Sequence, residues 1–145
     1  MNETAIITFD INTTDSDAKL GVEIWLDHDC VYKNNHITAL HNFSHSMIDD
    51  DAEHELRIVM LGKTFENTKV DEQGNIVRDA FLIISNPSID GIDVAQLFNE
   101  KTVYTHDFNG TQSQSPHKFY GNLGCNGTVS LQFSTPIYLW MLENM

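Results

Sequence analysis

The chain reads as an all-β protein: an antiparallel β-sandwich with at most one or two short helices, formed by residues 1–145 as one domain. Three observations predict this. Segments in which apolar and polar residues alternate, roughly eight or nine of them, recur at intervals of about ten residues, the pattern of strands with one buried face. The connections are rich in Asp, Asn, Gly and Ser, which build turns. Helical periodicity is confined to short segments, and no repeat on the scale of about 20–50 residues points to a propeller or solenoid.

Residues 5–12 place Ala5, Ile7, Phe9 and Ile11 on one face. After a polar break, residues 20–27 set Leu20, Val22, Ile24 and Leu26 against Glu23, Trp25 and Asp27. Asp27-His28-Asp29 is a turn, with residues 30–33 as the return strand of a hairpin. Residues 37–43 are a weaker strand candidate, and residues 44–53, with aspartates at 49–51, read as a loop. The middle third, residues 54–94, holds two alternating stretches joined by a polar connection containing Asp71, Gly74 and Asn75. These two are expected as neighbouring strands of one sheet. In the first, Leu56, Ile58 and Met60 share a face opposite Glu55 and Arg57. The second, residues 80–84, is apolar on both faces, as a central strand would be, and Asn86-Pro87 is expected to end it.

Residues 93–100, DVAQLFNE, put Val94, Leu97 and Phe98 on a helical stripe behind a capping Asp93. Residues 103–107 read as a strand, residues 109–116 as an exposed loop, and Gly124 to Gly127 as a turn. Residues 128–133 alternate, with Val129, Leu131 and Phe133 inward. Residues 137–142 are all apolar, and burying them contributes about 1.5–3 kcal/mol per large side chain. They read as a last core strand or short helix, or as an anchor for a partner or for self-association.

The composition narrows the partners. With 41% apolar and 10% aromatic residues the chain can fill a core, so disorder is not expected. Eight Lys and Arg against 21 Asp and Glu give a formal charge of −13, which disfavours nucleic acid and anionic membranes and favours solubility and cation-bridged carboxylates. Cys30 and Cys125 form no CxxC pattern and read as small apolar residues. The first residues, MNETAIITFD, lack the basic and apolar regions of a signal peptide, so synthesis in a host cytoplasm is expected. Sequon triplets begin at Asn2, Asn12, Asn42, Asn109 and Asn126 and read as turn chemistry.

Catalytic patterns are weak. His41 and His45 have the i, i+4 spacing of a zinc site, but Asn42 stands where HExxH needs Glu. His106-Asp107 reads as an ordinary strand-end pair, and neither GxSxG, GxGxxG nor GxxxxGK[ST] occurs. Calcium prefers several oxygens at loop tips. Asp49, Asp51 and their neighbours Asp50 and Glu53 are one supply; Asp71, Glu72, Asn75 and Asp79 are another, although DEQGN is also good hairpin-turn chemistry. Exposed aromatics are platforms for sugars, and Trp25, Tyr104, Phe108 and Tyr120 are the candidates, with Phe119 beside them.

The segment HELRIVMLGK…TKVDEQGNIVRDAFLIISNPSIDGIDV resembles the calcium-dependent xylan-binding type of carbohydrate-binding module. His54-Glu55-Leu56, Asn75-Ile76, Asp79 before the 80–83 run, and Asp90-Gly91 carry the likeness, and residues 20–32, LGVEIWLDHDCVY, resemble the preceding hairpin. The resemblance implies a jelly-roll sandwich, calcium as cofactor and carbohydrate as partner. The run from Tyr104 to Met145 resembles small accessory proteins of marine bacteriophages, which implies a tail, neck or capsid-surface role among other virion proteins. The first expectation is therefore a non-enzymatic recognition module, virion-associated and glycan-binding. The alternatives are a structural virion or oligomer component docking through residues 137–142, and a small hydrolase or metal enzyme.

Overall fold

Alternation in the sequence becomes two packed sheets. A computed structural model describes residues 4–108, 110 and 112–145; the sequons at Asn2 and Asn109 and part of the expected 109–116 loop lie outside them. The strands in chain order are β1 (Thr4–Thr13), β2 (Gly21–Leu26), β3 (Asp29–Asn34), β4 (His41–Ile48), β5 (Glu53–Leu61), β6 (Thr68–Val70), β7 (Ile76–Asp79), β8 (Leu82–Ile89) and β9 (Ile92–Asp93). Helix α1 (Ala95–Lys101) follows, then β10 (Thr102–His106), β11 (Ser115–Lys118), β12 (Asn122–Leu123), β13 (Gly127–Ser134) and helix α2 (Ile137–Asn144). One antiparallel sheet has the order β12-β8-β1-β4, with β9 pairing β8; the other has the order β11-β10-β13-β5-β2-β3. The sandwich expected from the alternation is what forms.

The inward faces match the periodic assignments. Ile7, Phe9 and Ile11 of β1, Val22 and Ile24 of β2, Leu56, Ile58 and Met60 of β5, and Val129, Leu131 and Phe133 of β13 are buried in one core cluster. Phe9 meets Phe43 with ring centroids 4.7 Å apart, and Phe98 of α1 packs on Phe9 and Phe119 at 6.5 and 6.2 Å. Helix α1 forms where DVAQLFNE predicted it, and Asp93 Oδ1 accepts the Ala95 N–H at 2.8 Å.

Three local expectations are corrected. First, the alternating stretches of the middle third are not neighbours: β5 lies in the six-stranded sheet and β8 in the other. The connection between them crosses the sandwich and spends its turn residues on a separate two-stranded ribbon, β6-β7. Local alternation reports a buried face, not the strand that lies alongside. Second, residues 44–48 belong to strand β4, paired along β1, and only residues 49–52 form the loop. Its outward residues are Asn42, Ser44 and Ser46, so a polar outer face concealed a strand held inward by Phe43 and Met47. Third, β8 runs through Asn86-Pro87 to Ile89. The β1 register shifts between Thr8 and Asp10 and Asn86 takes φ +54°, a bulge that accommodates the proline. Residues 137–142, expected as a last core strand or short helix, open a helix whose Ile137, Trp140 and Met141 are buried, while Tyr138, Leu139 and Leu142 face out.

Candidate functional site

The outward face of the six-stranded sheet gathers the best-defined recognition chemistry. Register aligns Trp25, Arg57, Ser130, Val103 and Lys118 in one row across β2, β5, β13, β10 and β11. Arg57, Ser130 and Val103 each stand between buried neighbours, so the row points outward. Trp25 is half-buried, with the Arg57 guanidinium 5.5 Å from its ring centroid. Its Nε1 donates to Glu23 Oε1 at 3.1 Å, and Lys33 pairs with Glu23 at 3.4 Å. Arg57 Nε lies 3.3 Å from Glu55 Oε1 without hydrogen-bond alignment, and Ser130 Oγ donates to Glu55 Oε2 at 2.8 Å. An aromatic ring thus stands beside polar side chains held by their neighbours, the mixture that binding sites for polar ligands use.

At the start of β5 the sequence builds an acid–histidine–acid bridge. His54 Nδ1 meets Asp27 Oδ2 at 2.6 Å and its Nε2 meets Asp50 Oδ1 at 2.7 Å. Asp27, at φ +56°, accepts the Glu55 N–H through Oδ1 at 2.9 Å, and Thr135 Oγ1 donates to Asp50 at 2.8 Å. Burial works against a charged His54, but hydrogen bonds and attraction from both aspartates outweigh it and hold its pKa above the usual 6.5. Burial likewise works against the Asp27 carboxylate and is outweighed by His54 and the Glu55 N–H, so its pKa lies below 3.8. The hydrogen bond from His54 holds Asp50 below 3.8 as well, with Thr135 adding to it.

At the far end of β5 another acid is neutralised from within. Buried Lys63 donates to Asp79 Oδ1 at 2.7 Å and to the Gly124 carbonyl at 2.6 Å, while Thr68 Oγ1 donates to the same Asp79 oxygen at 2.6 Å. Burial raises Asp79, yet Lys63 and Thr68 prevail and its pKa is lowered.

These contacts decide where the sequence-derived metal ligands stand. Asp49 and Asp51 precede β5 and Asp71, Asn75 and Asp79 follow it; the strand between spans about 26 Å, so the two groups do not converge. Asp49 Oδ1 accepts the Asp51 N–H at 3.3 Å. Asp71 Oδ1 accepts the N–H groups of Gln73 and Asn75 at 3.0 and 2.9 Å, an Asx turn closing the ribbon. Asp79 is paired with Lys63. Among the described residues no three His, Cys, Asp or Glu side chains form a group able to hold a metal ion. The two expected ligand groups therefore do not form one calcium site, and Asp71 and Asp79 serve a turn and an ion pair.

The four expected aromatic platforms also separate. Tyr104 is inward, buried beneath Phe119, and its hydroxyl donates to the Cys125 carbonyl while accepting the Cys125 N–H at 2.9 Å; burial drives its pKa up. It is a core residue, a correction to its expected surface role. Tyr120 is 73% exposed, with Lys118 Nζ 5.6 Å from its ring centroid. Phe108 lies beyond His106 and Tyr120 beyond Lys118, so the two flank opposite ends of the β10–β11 pair. Trp25 lies three strands from β10, about 14 Å away. Of the four, Trp25 alone joins a row of oriented polar groups.

Sequence reading missed a second aromatic cluster. His106 stacks on His117 at 4.3 Å, with Phe108 edge-on to both at 4.6 and 4.9 Å. Burial, then the facing His117, holds His106 below 6.5. His106 and His117 come together only through pairing of β10 with β11, which no local pattern displays.

No protein-family model matches the sequence, and no curated protein matches it. Two solved structures are similar. One is vCBM60, described with a circular permutation linking two families of calcium-dependent carbohydrate-binding modules; it is 16% identical over 88% of this chain and 89% of that one, with a TM-score of 0.51. The other is vCBM60 in complex with galactobiose, 15% identical over 87% of this chain and 96% of that one, with a TM-score of 0.48. At 16% identity the first likeness is one of architecture. The chain has the β-sandwich fold of a carbohydrate-binding module.

Proposed function

We propose that this chain is a non-catalytic carbohydrate-recognition module that binds glycan on the outward face of the six-stranded sheet, around Trp25. The carrying observation is the Trp25 row itself: an aromatic ring beside Glu23, Glu55, Arg57 and Ser130, all in fixed contacts. A pyranose ring offers an apolar C–H face to stack on indole and hydroxyls that both donate and accept. Glu23, Glu55 and the Ser130 oxygen, whose proton is given to Glu55, supply acceptors, and Arg57 supplies donors. The carboxylates and the charge of −13 favour a neutral glycan over an anionic one. Xylan, implied by the likeness of residues 54–94, is the first neutral polysaccharide to test. A hydrolytic role finds less support: both His54 nitrogens are engaged by carboxylates, leaving neither to activate a nucleophile.

Affinity electrophoresis and calorimetry with xylan and other neutral polysaccharides test the proposal. Trp25→Ala is expected to weaken binding by about tenfold or more, since losing one stacking platform removes 1–3 kcal/mol in comparable ring-stacking sites, with the fold retained. Because Asp79 pairs with Lys63 and Asp71 closes a turn, chelator is expected to leave binding unchanged. Loss of binding on chelation would reinstate calcium, and an inert panel of polysaccharides would sink the glycan reading.

A second reading is favoured by the outward side of α2, where Tyr138, Leu139 and Leu142 are exposed. In it the helix docks the protein on a virion component or a second copy, in keeping with the likeness of residues 104–145 to phage accessory proteins. Removing the helix cannot test this, because Ile137, Trp140 and Met141 belong to the core. Replacing Leu139 and Leu142 by Ser is expected to abolish a complex seen by light scattering or co-purification. A complex that survives these changes would exclude α2 as the docking face.

A further inference from the structure

Between α1 and α2 the surface opens into a groove of about 860 Å³. Leu97, Met141 and Leu142 supply apolar wall, Asp93 and Glu100 supply acid, and no Lys, Arg or His lines it among the described residues. The apolar surface is wet: Ile92, Leu142 and Met145 are 49%, 73% and 85% exposed. One wall is fixed in place. The Tyr138 hydroxyl donates to Asp90, whose other oxygen accepts the Ile6 N–H at 2.7 Å, tying α2 to β1. Asn144 Nδ2 donates to the Trp140 carbonyl at 2.8 Å and closes the last turn of the helix.

Charge selects among occupants. A symmetric contact with a second copy would set this acid-edged patch against itself, on chains that each carry −13. An anionic lipid surface meets the same repulsion. A helix with apolar side chains at i, i+3 or i+4 and i+7 and with Lys or Arg beside them answers both features, filling the wall and pairing with Asp93 and Glu100. Met145 adds an unbranched, adaptable side chain of the kind that helix-accepting grooves use. We infer that the α1–α2 groove is a docking site for a cationic amphipathic helix of a partner protein. This rests on the docking reading of α2 and narrows its occupant.

The test is fluorescence anisotropy of two labelled synthetic helices, one of Leu and Lys and its counterpart of Leu and Glu, titrated with the full chain. The Lys helix is expected to bind and the Glu helix not to. Leu142→Ser is expected to weaken the Lys helix by about tenfold, the effect of roughly 1.4 kcal/mol. Glu100→Gln should weaken it severalfold, and Glu72→Gln, an exposed acid at the ribbon tip, should not. Equal binding of both helices overturns the proposal, as does an equal effect of Glu72→Gln and Glu100→Gln, which would report net charge alone. So does indifference to Leu142→Ser. If neither helix binds but light scattering shows a dimer that Leu142→Ser dissolves, α2 remains the docking face and the cationic occupant is wrong. A monomer that binds neither helix overturns both readings.

Discussion

His54 sits between Asp27 and Asp50 with both ring nitrogens occupied, so its charge and theirs are linked to folding. Its pKa is raised on folding, so it contributes stability that is complete below about pH 6.5 and is lost as pH rises through the folded value. Asp27 and Asp50 are lowered, so their contribution is present above about 3.8 and is lost as pH falls through their folded values. The bridge therefore stabilises most between about pH 4 and pH 6.5. In thermal unfolding scans the melting temperature is expected to decline from pH 6 to pH 8, and His54→Asn should flatten that decline. A variant with the same slope would show that the alkaline loss arises elsewhere. At this scale the sequence is only partly informative: His54 stands out only within a resemblance, while Asp27 reads as a turn residue and Asp50 as a loop acid. Their partnership depends on the β4–β5 loop folding back over a turn from another hairpin, 27 residues from His54 in the case of Asp27.

At the scale of elements, the glycines at the start of β13 show how tightly strands constrain one another. A Cβ on Gly127 would stand 2.4 Å from the Thr105 carbonyl oxygen and 2.8 Å from His106 Cβ, whereas one on Gly124 would meet nothing within 4 Å. Gly127→Ala is therefore expected to cost about 1–3 kcal/mol in urea denaturation. Gly124→Ala should stay within about 0.5 kcal/mol. Equal effects would mean that β10 yields to the added methyl group. Elements with one clean buried stripe were legible in the sequence: β1, β2, β5, β13 and α1 lie where their apolar spacing put them. Strand β4 was not, because five of its eight residues are polar and its apolar anchors, Phe43 and Met47, are four apart with His45 between them. The β8 boundary failed because Pro87 normally stops a strand, and only a bulge opposite β1 lets this one continue.

At the scale of the molecule, the charge of −13 and the apolar content settled what kind of surface the chain presents, and strand alternation settled that two sheets would share one core. These are properties of composition and of near neighbours, which a chain carries whatever its partners in space. Which sheet each strand joins was decided by tertiary structure, and it sent β5 and β8 to opposite layers. That assignment dispersed the expected calcium ligands to the two ends of β5 and turned Tyr104 inward. It also brought Arg57 and Ser130 into line with Trp25. The physical reason is that cross-strand register and ion pairing join residues tens of positions apart, whereas periodicity records only whether a side chain faces the core.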